Sequence, residues 1–163
     1  MNNYIWLIGE NNSLTANNNS YYFWKKTVSK DDGIDKYFVL KKNKRNKELY
    51  KKLSKDEKKF ILWKNSIKHY KNFFDADMLF VTLSYKDVVP SDIMGYKIKL
   101  KIKKPVIYLQ HGTLGIKKIG YTGRSYNNNM FRFCIYNNKI KETFKIENDF
   151  KDYQLYYAEY HPR

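Results

Sequence analysis

Cysteine is almost absent. A single thiol, Cys134, among 163 residues excludes an intramolecular disulfide and any multi-cysteine zinc or iron–sulfur site, and points to a reducing compartment or one indifferent to disulfides. Glycine (7) and proline (3) are too scarce for a collagen-like or linker-type chain. The longest uncharged apolar stretch, Pro105 to Ile116, falls well short of the ~20 residues that span a bilayer. The apolar opening, Met1 to Gly9, is short and lacks a positively charged leader. The expected location is therefore the cytoplasm, or the cytoplasmic face of a membrane. Neither HExxH nor Cys/His ligand spacing occurs, so no metal and no cofactor is expected. Arginine is rare: only Arg45, Arg124, Arg132 and Arg163 occur, leaving 28 lysines among the 32 basic residues.

The hydrophobic share of 42% and aromatic share of 18% are ample for a packed core and exclude a disordered basic tail. The length suits one domain, 1–163, of the usual roughly 100–150 residues. Sixteen acidic residues against 32 basic ones give a net charge of +16. That excess favours an anionic partner: a phosphate-rich substrate, an anionic membrane surface or nucleic acid. Part of it is compositional, because Lys, Asn, Ile and Tyr are what AT-rich coding favours. The sign of the charge informs more than its size.

Short apolar runs alternate with amphipathic segments. Strands are expected over Asn3–Ile8, Lys36–Lys41, Phe60–Trp63, Asp77–Ser84, Val106–Gln110 and Gln154–Tyr157. Helices are expected from a Ser20 cap (Tyr21, Trp24 and Val28 inward), over Asn46–Leu53, from Ser66 (Ile67, Tyr70 and Phe74 on one stripe) and over Asn137–Lys145. Alternation of this kind, with continuous runs such as MLFV and VIYL, predicts an α/β fold with a parallel, Rossmann-like sheet and flanking helices.

Three segments could carry chemistry. Gln110-His111-Gly112-Thr113 follows a buried strand at the edge where open α/β sheets place ligands. A neutral His111 there can take a proton from a hydroxyl, and Gly112 permits close backbone approach; the plainer alternative is a turn that contains a histidine. Gly9-Glu10 through Asn17-Asn18-Asn19-Ser20 leads into a helix N-terminus, where free amides can meet an anion or hydroxyl; the alternative is an ordinary capped loop. In Lys97–Lys104, alternation places Lys97, Lys99, Lys101 and Lys103 on one face, next to Lys104. That ribbon suits a membrane or polyanion, or else a protected edge strand. His69 reads as solvated, Cys134 as a buried structural thiol, and Asp31-Asp32, Asp56-Glu57 and Asp75/Asp77 as caps or solvated positions.

In order along the chain, Ile8-Gly9 with Asn17-Asn18-Asn19-Ser20, Tyr108 to Thr113 with Lys117, Lys118 and Gly120, and Asp152 to Arg163 resemble the CDP-glycerol glycerophosphotransferase family of teichoic-acid primases and polymerases. The resemblance implies the N-terminal, acceptor-side half of a GT-B-like transferase. The donor-binding C-terminal half would lie outside these 163 residues, and the isolated half would turn nothing over. It implies that His111 is the general base on an acceptor hydroxyl, and that Gly9, Asn18, Asn19, Ser20, Gly112, Thr113, Lys117 and Lys118 contact the acceptor. The implied partners are a CDP-glycerol-type donor, a lipid-linked polyanionic acceptor and an anionic membrane surface. Here Thr113 is followed by Leu114-Gly115-Ile116-Lys117, without the proline usual after HGT and with the lysine one residue later. Two other readings stay open. One is a non-catalytic basic domain that holds nucleic acid or another polyanion. It is disfavoured by aromatics lying in apolar runs, by scarce arginine and by the lack of RNP, KH or zinc-finger patterns. The other is a glycosyltransferase of the same architecture.

Overall fold

The computed structural model describes residues 3–90, 104–110, 131–159 and 162. Of the residues singled out above, Lys97, Lys99, Lys101, Lys103, His111, Gly112, Thr113, Lys117, Lys118, Gly120 and Arg163 lie outside that set.

Among the described residues seven strands form one sheet: β1 (Tyr4–Ile8), β2 (Ile34–Leu40), β3 (Ile61–Trp63), β4 (Met78–Val81), β5 (Val106–Tyr108), β6 (Phe131–Ile135) and β7 (Leu155–Tyr157). Their order across the sheet is β3-β2-β1-β4-β5-β6-β7, and every pair is parallel. Parallel strands must be reached by crossovers, and helices supply those the structure describes. α1 (Asn19–Thr27) links β1 to β2, while α2 (Lys44–Lys52) and α3 (Lys55–Lys59) link β2 to β3. α4 (Ile67–Asp75) carries the chain from β3 across to β4, and α5 (Lys141–Asn148) joins β6 to β7. The result is an α/β, Rossmann-like fold, as the alternating runs predict. Among the described residues no helix is long and apolar enough to cross a membrane.

Two cores flank the sheet. On one face Trp24 of α1 and Val28 just after it, with Leu53 after α2, pack on Ile8, Phe38, Leu40 and Phe80. On the other, Phe73 of α4 and Phe144 of α5 pack on Leu7, Val39, Leu79, Tyr108 and Phe133. Successive strand residues feed opposite cores, so both faces need apolar side chains and the strands read as unbroken runs.

Several boundaries and one phase differ from expectation. α1 is capped by Asn18, whose side chain accepts from the Asn19 N–H (3.1 Å), not by Ser20. β6 and α3 were not anticipated. The stripe Ile67, Tyr70 and Phe74 is corrected: Ile67 is 90% and Phe74 61% exposed, while His69, Asn72 and Phe73 turn inward. The helical period is right and its phase wrong, because a histidine and an asparagine occupy core-facing positions. His69 is accordingly buried, not solvated.

Candidate functional site

The strand order reverses between β1 and β4, and their carboxyl ends form the crevice where open α/β sheets place ligands. The loops leaving these strands are locked together. The Gly9 N–H donates to the Phe80 carbonyl (3.0 Å), and a Cβ at Gly9 would lie 2.2 Å from the Asp87 carbonyl oxygen. Only glycine therefore lets the loop after β4 press on the end of β1. Gly9→Ala is expected to lower stability by about 1–3 kcal/mol through this overlap, measured by urea unfolding.

Glu10 is fully buried and turns back onto the start of α1. Its Oε1 accepts from the Asn17 (2.6 Å) and Asn18 (2.8 Å) N–H groups, and its Oε2 from that of Tyr21 (3.0 Å). Of the two readings of this loop the structure has the capped one: at Asn17, Asn18 and Tyr21 the chain's own carboxylate meets the amides. Burial raises the Glu10 carboxyl above its ordinary range, and the three amides pull it back.

Asp87 does the same for the loop after β4. Its Oδ2 accepts from the N–H groups of Thr82 (2.9 Å), Leu83 (2.8 Å) and Ser84 (3.3 Å), and its Oδ1 from that of Asn12 (2.7 Å) across the crevice. The Ser13 hydroxyl donates to the Asp87 carbonyl (2.6 Å), and Lys64 Nζ donates to the carbonyl of Lys86 (2.7 Å). His69 Nε2 donates to the Val88 carbonyl (2.9 Å), while its Nδ1 accepts from the Asn65 N–H (3.1 Å). Glu10 and Asp87 were missed by the sequence reading. A usable signal existed for Asp87: Ser84-x-x-Asp87 is a capping box, and both of its reciprocal bonds form.

The Asn-Asn-Ser segment has a second connection. Asn19 is buried, and its Nδ2 donates to the carbonyls of Leu109 and Gln110, 3.1 Å each. Tyr136 donates its hydroxyl to the same Leu109 oxygen (2.7 Å), and Gln110 Nε2 donates to the Cys134 carbonyl. Gln110 adopts a left-handed backbone (φ 57°), uncommon for a residue with a side chain, so these bonds fix the direction in which the chain leaves β5. The next residue in sequence is His111. Ser20 is also buried, and its hydroxyl has no hydrogen-bond partner among the described residues.

The remaining described candidates sit elsewhere. Lys104 Nζ donates to the carbonyls of Phe74 (2.8 Å) and Ala76, closing the end of α4 at the opposite edge of the sheet from Gln110; burial lowers its pKa. Cys134 is buried, and desolvation pushes its thiol up to about 12. Among the described residues no group of three or more His, Cys, Asp or Glu is placed to hold a metal ion. Two hollows stand out. One of about 970 Å³ lies at the amino ends of the strands, with Asp35, Tyr37, Lys68 and Asp77 in its wall. The other, about 510 Å³, is an apolar groove on the α1 face that reaches Leu109 and Tyr136 at the carboxyl edge.

Fold and crevice define a parallel α/β, Rossmann-like protein whose switch point is closed by its own carboxylates. Comparison with family models, with curated proteins and with solved structures returns no match.

Proposed function

We propose that this chain is the acceptor-side half of a glycerophosphotransferase-like enzyme of GT-B-like architecture, acting on a CDP-glycerol or related CDP-polyol donor in teichoic-acid or capsule polymer synthesis. The observation that supports it best is the pair of hydrogen bonds from Asn19 to the Leu109 and Gln110 carbonyls. They join the two segments on which the resemblance rests, Asn17–Ser20 and Tyr108–Thr113. In this reading the Asn-Asn-Ser segment serves less to touch substrate than to aim the strand end that carries His111.

The reaction is a displacement at phosphorus. A terminal hydroxyl of the acceptor attacks the β-phosphate of the donor, the P–O bond to the α-phosphate side breaks, and CMP leaves. His111 takes the hydroxyl proton as the new P–O bond forms. Charge developing on the phosphate needs cationic or helix-terminal stabilisation, which the donor-binding half would supply. The positive charge of +16 would hold a polyanionic, lipid-linked acceptor at the cytoplasmic face of a membrane.

Two measurements test this. The chain is expected to bind polyglycerol phosphate with an affinity that falls with salt, and more tightly than single-stranded RNA of equal charge; preference for RNA would favour a nucleic-acid binder instead. In an enzyme that joins this half to a donor-binding half, His111→Ala is expected to slow CMP release on the order of a hundredfold without lowering Tm. Normal turnover would remove His111 from the mechanism.

A further inference from the structure

The net charge is not spread evenly. Residues 41–59, from just after β2 through α2 and α3, hold ten basic and three acidic side chains, nearly half of the chain's net +16. Each of the three acids is taken: Glu48 pairs with Lys51 (2.9 Å), Asp56 with Lys59 (2.7 Å) and Glu57 with Lys25. Lys42, Lys44, Arg45, Lys47, Lys52 and Lys55 are exposed, and none of the six forms an ion pair among the described residues. AT-rich coding raises lysine content along a whole chain; it does not gather unpaired lysines on one side. The hollow at the amino ends of the strands shows the contrast, with Asp35, Asp75 and Asp77 beside Lys68 and Lys71.

The placement of these cations runs against local stability. The first turn of α2 carries Lys44 and Arg45 and no acid, although the helix dipole favours anions there. The chain gains no ion pair in return. The corner where the cluster starts is tied to the crevice: the Lys41 N–H donates to the Ser13 carbonyl (2.7 Å) and Asn43 Nδ2 to that of Leu14 (3.0 Å). A basic track therefore begins at the carboxyl edge of the sheet, beside the loop after β1, and α2 carries it back along the sheet for about 12 Å from Lys44 to Lys52. Three strand spacings, roughly 14 Å, separate the end of β2 from that of β5.

Three kinds of polyanion suit such a track, and the side chains choose between them. Stable seating on an anionic bilayer takes apolar groups as well as charge, and no large hydrophobic side chain of residues 41–59 is exposed. Single-stranded nucleic acid takes open rings for its bases. Tyr50, the only aromatic residue of the two helices, packs on Trp63 (5.2 Å between centroids), with Lys58 Nζ 5.6 Å from its ring. What remains is a phosphate polymer without bases, held by charge alone. We propose that the α2–α3 edge is a second binding site for a flexible polyphosphodiester, remote from the end of β5, and that it makes affinity depend on polymer length. The proposal rests on the acceptor-side reading above and adds a length preference to it. A short polymer fills one site, and only a chain long enough to cross the carboxyl edge gains both.

The test is binding of fluorescein-tagged oligo(glycerol phosphate), of two and of ten units, to the full chain, read as fluorescence anisotropy over a salt series. The ten-unit chain is expected to bind tighter by on the order of tenfold or more. In a variant combining Lys44→Gln, Arg45→Gln, Lys47→Gln and Lys52→Gln that advantage should shrink to a few-fold. The slope of log K against log salt should fall by about 3, roughly 0.7 per charge removed. A control removes the same charge from exposed lysines elsewhere, by Lys26→Gln, Lys30→Gln, Lys71→Gln and Lys86→Gln. It should keep the length advantage and change the slope by less than about 1. Glutamine suits helices and exposed positions, so an unchanged Tm is expected for both variants. Equal losses in the two variants or equal binding of the two lengths would overturn the proposal. So would tighter binding of single-stranded RNA, or binding of phosphatidylglycerol vesicles alone, through the same four residues. Binding needs no donor, so the two readings fail separately. Transfer by the joined enzyme without any effect of the four substitutions on binding would discard the track alone. Length-dependent binding on the track without any transfer would discard the transferase.

Discussion

Asp87→Ala is expected to cost about 3–5 kcal/mol, a large fraction of the roughly 5–15 kcal/mol that holds a domain folded, and to lower Tm by on the order of 10 °C. The carboxylate is fully buried and accepts four backbone N–H groups, three from the turn after β4 and one, from Asn12, across the crevice. Alanine leaves those donors facing a void. The Leu83 amide lies near the surface and recovers water, whereas Thr82 is buried and does not. Hydrogen bonds to a charged acceptor contribute about 1.5–3 kcal/mol each, so the lost Thr82 bond together with partial loss at the part-buried Ser84 and Asn12 amides sets the expected magnitude. Asp87→Asn retains an oxygen for the three-amide turn but presents an N–H₂ to Asn12, so an intermediate loss should appear. Differential scanning calorimetry of the two variants distinguishes these cases. Equal stability of Asp87→Ala and the parent would mean that the crevice is not held by this carboxylate.

The same residue explains why β4 is short. The expected strand Asp77–Ser84 stops at Val81 because the amides of Thr82, Leu83 and Ser84 converge on Asp87 instead of pairing along the sheet. Glu10 plays the matching part at α1. In nucleotide-binding folds of this topology a ligand's phosphate lies against the first helix; here Glu10 occupies that helix start. This shifts attention from the β1–α1 turn to the end of β5.

What was legible was the apolar part of the fold. Runs such as NYIWLI and MLFV read as strands because parallel strands are covered on both faces, and the order of strand and helix implied the crossovers. β6 escaped because Arg132 interrupts the apolar sequence FRFCI, even though Asn127–Asn129 before it and Asn137-Asn138 after it are turn signals. The polar interior was illegible for a different reason. Lys36 opens the run KYFVLK and looks like a solvated flank, yet its side chain is 1% exposed, its Nζ paired with Asp32 and bonded to the Ile34 carbonyl (3.2 Å). Glu10, Asp87 and His69 likewise carry surface-type side chains that turn inward onto backbone groups, most of them within about a dozen positions, with Asn12 (to Asp87) and Val88 (to His69) farther away. Apart from the Ser84–Asp87 capping box, no turn signal points to these partners, and the bonds to Asn12 and Val88 form only when the loops are assembled. The candidate site was legible as two segments, and the bond that joins them, Asn19 to Leu109 and Gln110, spans about ninety positions of sequence.

His69 is expected to make the protein acid-sensitive in a defined window. The imidazole is buried; its Nε2–H donates to Val88, and its Nδ1 accepts from Asn65, whose backbone is itself left-handed (φ 67°). Protonating Nδ1 would break the second bond and place a charge in an apolar site near Lys64. Burial, with the Lys64 charge a smaller contribution, lowers the His69 pKa from 6.5 to about 4. The sign follows from which state binds the proton more readily. Between about 4 and 6.5 the unfolded chain is protonated at this position and the folded protein is not, so folding must release a proton. The contribution of neutral His69 is therefore fully present above 6.5 and is lost as pH falls through the window; the loss reaches about 3 kcal/mol near pH 4. Urea unfolding at steps of pH should show this loss in the parent protein. His69→Gln cannot titrate, and although it sacrifices packing and hydrogen bonds its stability should fall about 3 kcal/mol less over the same interval. Parallel pH curves for the two proteins would mean that the ring is protonated in place, and the bond from Asn65 would then need another donor geometry.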